Sequence, residues 1–212
     1  MTSEKRDFNQ AAATWDENPG RVKLARDIAD SMINNLPITR DMNAMDFGCG
    51  TGLLTVRLQS LVRSITGVDS SQGMLDILNR KITKLQMSNA KTMLVDIEKG
   101  QPLTGNYQLI VSSMTLHHIA EIKPILAQFY NVITPGGFLS IADLDSDDGQ
   151  FHEDKTGVFH SGFDRNVMRQ YFSEAGFDNI TDATAATLTK PSLSQRIQKF
   201  TIFLITGRKK AK

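Results

Sequence analysis

Asp46-Phe47-Gly48-Cys49-Gly50-Thr51-Gly52 puts one acidic side chain ahead of glycines at every second position. Glycine lets a backbone come close to a ligand, and a turn of this kind opening a helix aims amide N–H groups at it. Asp69 follows a second apolar run at 65–68. A carboxylate there can accept hydrogen bonds from both hydroxyls of a ribose, or can cap a helix through Asp69-Ser70-Ser71. Asp96 ends a third run, where it is either a ligand contact or a solvated strand end. Three acids closing three successive runs are harder to read as scattered surface charge than any one of them. In the dinucleotide fingerprint the third glycine stands three residues after the second. Here that place is Leu53 and Gly52 comes one residue early, which argues against a nicotinamide or flavin dinucleotide and the oxidoreductase reading.

These positions need rigid elements behind them. Val22, Ala25, Ile28, Ala29, Met32, Ile33 and Leu36 recur at three- and four-residue spacing, a helix with one buried stripe that Pro37 ends. A short apolar run at 43–47 leads into the glycines, after which Leu53, Leu54, Leu58 and Leu61 resume helical spacing. The alternation repeats: strands at 64–68, 92–95 and 107–112, a helix at 74–85, and another through Ile122, Ile125, Leu126, Phe129 and Val132. Thr134-Pro135-Gly136-Gly137 predicts a chain reversal into a strand at 138–142. Asp164 is placed to cap a helix carrying Val167, Met168, Tyr171 and Phe172, with Gly176 as its stop. Strands at 180–187 and 200–206 have no crossover helix between them, which predicts an antiparallel pair at one edge. The expected class is α/β, a seven-stranded, mostly parallel sheet with an antiparallel edge strand and helices on both faces.

Composition narrows the partners. With 24 basic and 23 acidic side chains in 212 residues, the net charge of +1 gives no reason to expect nucleic acid. Arg208, Lys209, Lys210 and Lys212 read as a solvated tail, and Asp143, Asp145, Asp147 and Asp148 as a solvated acidic run lacking the Glu of a calcium loop. Cys49 is the only cysteine, so no internal disulfide is expected and a reducing, cytoplasmic setting fits. No apolar run approaches the about 18 residues of a membrane span. Adjacent His117 and His118 have poor ligand spacing, so no metal is expected.

The Asp46-to-Gly52 turn, Gly67-Val68-Asp69, Asp96-Ile97, Leu116-His117-His118-Ile119 and Thr134-Pro135-Gly136-Gly137 together make the chain resemble the class I methyltransferases. Within them it resembles the small-molecule branch of ubiquinone and menaquinone methyltransferases and sugar O-methyltransferases, from about Trp15 to Gly207. The resemblance implies a Rossmann-like fold and S-adenosylmethionine as cofactor. On it, Gly48, Gly50 and Gly52 admit the methionine part, with Asp46 accepting from its ammonium. Asp69 holds the ribose, Asp96 and the Ile97 backbone read the adenine, and Ser70, Met74, Ser113 and His118 complete the walls. It also implies one domain over 1–212: an N-terminal helical cap at 1–37, a cofactor-binding core at 38–146, and a substrate-side segment with edge strands at 147–212.

A sulfonium already activates its methyl group, so the protein has mainly to align a nucleophile. Where that nucleophile is an alcohol its proton must leave, and an imidazole is the natural base. His117 follows the fourth strand and Asp143 ends the fifth; in the sugar O-methyltransferases that this segment resembles, such a pair acts as base and helper. His152, His160 and Phe163, with Phe151 and Phe159, occupy the segment after the fifth strand. They and Trp15 either face a flat acceptor or anchor irregular chain to the core. Methyl transfer to a small molecule, at oxygen first, is the expected function, acting as a monomer or homodimer. Protein methylation and a catalytically inert cofactor-binding partner are the alternatives. Ser112-Ser113-Met114-Thr115 lacks the paired prolines of nucleic-acid amine methylation.

Overall fold

The computed structural model describes residues 6–192 and 194–211. After helix α1 (Phe8–Ala11) and a 3-10 turn at Ala12–Glu17, helix α2 spans Pro19–Asn35. Asn18 caps α2 by accepting from the Gly20 and Arg21 amides, and Pro19 occupies its first turn, where no N–H is missed. Its stripe Ile28, Ala29 and Met32 is fully buried, and the helix ends at Leu36 because Pro37 cannot continue it.

The remaining elements are β1 (Asn43–Phe47), α3 (Leu53–Leu58), β2 (Ser64–Asp69), α4 (Gln72–Lys84), β3 (Ala90–Leu94), β4 (Tyr107–Ser113), α5 (Ile122–Val132), β5 (Ile133–Leu144), α6 (Arg165–Glu174), β6 (Asp178–Pro191) and β7 (Ile197–Arg208). The seven strands form one sheet in the order β3-β2-β1-β4-β5-β7-β6. β1 pairs in parallel with β2 on one side and β4 on the other, so the order reverses there and a crevice opens at the strand ends. Residues alternate between faces. Met45, Phe47 and Ile110 pack with α5 and α6 around Phe129, while Ala44, Leu109 and Val111 pack with α2 and α3. Both faces are therefore apolar, as a covered parallel sheet requires.

The expected antiparallel pair at one edge is β6 with β7; β7 lies between β5 and β6 and runs against both. Two details depart from the expected layout. Thr134 to Gly137 do not reverse the chain: β5 already begins at Ile133, opposite Tyr107, and the four residues form an irregularity inside it where the register slips before Leu109. Of the four basic residues read as a tail, Arg208 and Lys209 make hydrogen bonds to the backbone, Lys210 is exposed, and Lys212 lies outside the described residues. Lys209 Nζ donates to the Tyr130 and Ile133 carbonyls, at 2.6 and 2.9 Å, and Arg208 Nε donates to Gly136 O at 3.1 Å. Among the described residues no helix is long and apolar enough to cross a membrane.

Candidate active site

The glycine turn is built by contacts on both sides. Gly48 has φ +68°, and a Cβ on it would lie 2.2 Å from Thr115 Cγ2. Thr115 Oγ1 donates to Gly48 O at 3.3 Å, tying the turn to the end of β4. At Gly52 the missing side chain makes room for Leu78 of α4. Gly50 differs: a Cβ there would meet only Met74 Sδ, at an ordinary 3.9 Å. Packing demands glycine at Gly48 and Gly52, whereas at Gly50 it leaves the backbone open to approach. Gly48→Ala combines left-handed strain with a collision, and is expected to destabilise the fold by about 2–4 kcal/mol in thermal denaturation.

Two carboxylates stand behind this turn. Asp46 is buried and accepts from Thr55 Oγ1 at 2.6 Å. Burial, opposed by that hydrogen bond and reinforced by the Asp69 charge, pushes its pKa up to about 7. Asp69 accepts from the Gly50 amide at 2.8 Å and the Ser71 amide at 2.9 Å. Burial raises its pKa too, against the pull of these amides. Among the described residues no cation pairs with either acid. Met74 is buried, Ser70 is exposed, and Ser113 ends β4, its carbonyl accepting from Thr115 Oγ1 at 3.1 Å. Asp96 starts a 3-10 turn by accepting from the Glu98 amide and pairs with Lys99 at 3.0 Å, while Ile97 packs on the core.

At the ends of β4 and β5 the structure joins the expected pair. His117, 2% exposed, sits on the 3-10 turn Leu116–His118, and its Nδ1 lies 2.7 Å from Asp143 Oδ1. Asp143 is fully buried and also accepts from the Leu116, His117 and Leu144 amides. Burial alone would raise its pKa. The His117 ring and these amides outweigh that and hold it below the usual carboxylate range. With Nδ1–H donated to a carboxylate, Nε2 of His117 carries the free lone pair, and no described residue hydrogen-bonds it.

His117 is one of three packed imidazoles: its ring centre is 4.1 Å from that of His118 and 4.8 Å from that of His152. His118 donates Nδ1–H to Gly157 O at 2.7 Å, and burial, reinforced by the neighbouring His117 ring, lowers its pKa to about 4. Burial and the two neighbouring rings lower His152 to about 3. Both are neutral at pH 7. His160 and Phe163 are not brought to this cluster. His160 donates Nε2–H to Ile119 O at 2.9 Å and stacks on buried Phe163, and both line a separate cleft of about 340 Å³ beside α5 and α6. Of the acidic run, Asp145 is held by Arg165 through two bonds of 2.7 Å and by Thr201, and Asp147 caps the Gly149 and Phe151 amides. The solvated reading therefore fails for Asp143, Asp145 and Asp147. Among the described residues no group of His, Cys, Asp and Glu is arranged to hold a metal ion.

The N-terminal segment closes over this end of the sheet through residues that carried no signal in the sequence. Asn9 Oδ1 accepts from Ser71 Oγ and the Gly73 amide, at 2.9 and 2.8 Å. Asp16 accepts from Thr51 Oγ1 at 2.6 Å and pairs with Lys81, which also donates to Thr51 O. Phe8 meets His118 edge-on at 5.1 Å, and Trp15 packs under the Arg21 guanidinium at 4.1 Å. Trp15 thus belongs to this N-terminal segment, a strap across the glycine turn and the start of α4.

Residues 44–137 match the model of a methyltransferase domain. An uncharacterized methyltransferase of Schizosaccharomyces pombe is 29% identical over 174 residues, 75% of this chain and 61% of its own length. A malonyl-(acyl-carrier protein) O-methyltransferase of Priestia megaterium is 28% identical over 154 residues, 70% of this chain and 53% of its own. The chain spans about half to three fifths of the length of the curated relatives it matches. Among solved structures, phosphoethanolamine N-methyltransferase 2 of Haemonchus contortus, in complex with S-adenosyl-L-methionine, has a TM-score of 0.71 at 12% identity, over 97% of this chain and 60% of that one. At that identity the likeness speaks to the fold. The glycine turn lies inside the matched methyltransferase domain, and the sheet is similar to that of the solved methyltransferase.

Proposed function

We propose that the protein transfers the methyl group of S-adenosylmethionine to an oxygen of a small-molecule acceptor. The observation that carries this reading is the buried His117–Asp143 pair, two residues from the threonine that bonds the glycine turn. The crevice fits the cofactor: Gly50 leaves its approach open, and Asp46 and Asp69 are carboxylates without a cationic partner among the described residues. Asp46 would take the ammonium, Asp69 the ribose hydroxyls, and Asp96 with the Ile97 backbone the adenine, with Ser70, Met74, Ser113 and His118 around them. When bound, the cofactor supplies a methyl carbon already activated by a sulfonium.

The protein's own part is orientation and one proton. Asp143 fixes the His117 tautomer, and its charge stabilises the imidazolium that forms. Nε2 would take the proton of the acceptor hydroxyl as that oxygen becomes the nucleophile, and the resulting imidazolium would stay paired with Asp143. His117 is buried, and the half-buried His118 beside it is covered edge-on by Phe8, which limits bulk water at the reacting oxygen. The single, buried cysteine suits a cytoplasmic enzyme.

Calorimetric titration with S-adenosylmethionine tests the reading directly. Because burial raises the Asp46 pKa to about 7, its ionised fraction grows as pH goes from 6 to 8, and affinity for the ammonium of the ligand rises with it. The same shift works against the free protein. A carboxyl whose pKa is raised on folding contributes stability at low pH that is lost as pH climbs from about 4 towards 7. Absence of binding at any pH would overturn the proposal, and incubation with labelled cofactor and a metabolite extract would identify the acceptor.

A further inference from the structure

His152 is placed by contacts of its own. Phe151 beside it is buried edge-on against Phe200 at 5.2 Å, and Lys190 lies 4.0 Å from the Phe151 ring while donating to its carbonyl. The reach of the β6–β7 hairpin beyond the rest of the sheet thus holds the His152 ring over His117. His152 Nε2 is buried and no described residue hydrogen-bonds it. A buried polar atom left without a partner is costly, so a ligand group that satisfies it gains selectivity.

The partner it suits follows from charge and geometry. His152 is neutral, and a neutral imidazole offers one donor and one acceptor, which matches a hydroxyl better than an anion. Its ring centre is 4.8 Å from that of His117, yet no hydrogen bond joins the two. Two oxygens that are neighbours on one molecule can span such rings, each bonding one nitrogen at about 2.8 Å. His118 is not the second anchor, since its Nδ1–H is committed to Gly157 O and Phe8 lies against its ring.

We infer that the acceptor is a vicinal diol, with one hydroxyl methylated at His117 Nε2 while its neighbour hydrogen-bonds His152 Nε2. This rests on the methyl-transfer reading above. Matched probes test it: catechol against phenol, and cis-1,2-cyclohexanediol against cyclohexanol, each incubated with labelled S-adenosylmethionine. The diol of at least one pair is expected to take about tenfold more label than its mono-hydroxy partner. His152→Phe brings that ratio to about one, and His152→Gln, which keeps a hydrogen-bonding group, retains a preference; unchanged melting temperatures establish that both variants fold. Equal labelling within each pair, or a preference that survives His152→Phe, would overturn the assignment. A protein that binds the cofactor yet labels neither diol also overturns it, and leaves the methyltransferase reading standing. Failure to bind the cofactor overturns both.

Discussion

His117→Ala lowers methyl transfer by about 10²–10⁴-fold, the usual contribution of a positioned general base, and leaves cofactor affinity within about twofold of wild type. The asymmetry follows from geometry. His117 is tied through Nδ1 to Asp143, and no bond joins it to Asp46, Asp69 or the glycine turn. Alanine also strands the fully buried Asp143 carboxylate beside a small void, so part of any loss could come from a loosened β5 end. His117→Asn separates the two effects, because its amide can still donate to Asp143 but offers no basic nitrogen. The asparagine variant is expected to keep the melting temperature better than alanine and to share its loss of turnover. Single-turnover rates with saturating cofactor provide the measurement, and an unchanged rate in His117→Asn would remove the general base.

Asp69→Ala weakens S-adenosylmethionine binding by about 10²-fold or more, from two hydrogen bonds to a charged group at about 1.5 kcal/mol or more each. The structure adds a component that ribose recognition alone would not have. Asp69 already accepts from the Gly50 and Ser71 amides, so alanine also frees the middle of the glycine turn and the start of α4. Asp69→Asn retains an acceptor oxygen for one of those amides while losing the charge and the paired geometry for the ribose. It is expected to lie between wild type and alanine in calorimetric affinity and closer to wild type in stability. Equal affinities for wild type and Asp69→Ala would end the ribose assignment.

Strap and site differ in how they could be read beforehand. Asn9 and Ser71 are 62 positions apart and Asp16 and Thr51 are 35 apart, so nothing in local pattern pairs them. His152 and His160 lie in the same segment with aromatic neighbours, and composition cannot rank them. The path of the backbone does: His160 turns to Ile119 O and the α5–α6 cleft, while Phe151 and Lys190 hold His152 against His117. Asp145 reads as one of a run of surface acids until Arg165, twenty positions later, arrives beside it.

The linear order of residues determined what neighbours along the chain decide: the strand–glycine–helix alternation, the cap at Asp164, the stops at Pro37 and Gly176, and the acids at the strand ends. Those signals are legible because helix and strand periodicity and turn chemistry act within a few residues. Tertiary structure alone decided that β7 inserts between β5 and β6, that the register of β5 slips at 134–137, that Asp46 is sealed enough to titrate near 7, and that three of the four histidines share one cluster. Strand pairing, desolvation and ring packing depend on distance in space, which the spacing of residues along a chain does not encode.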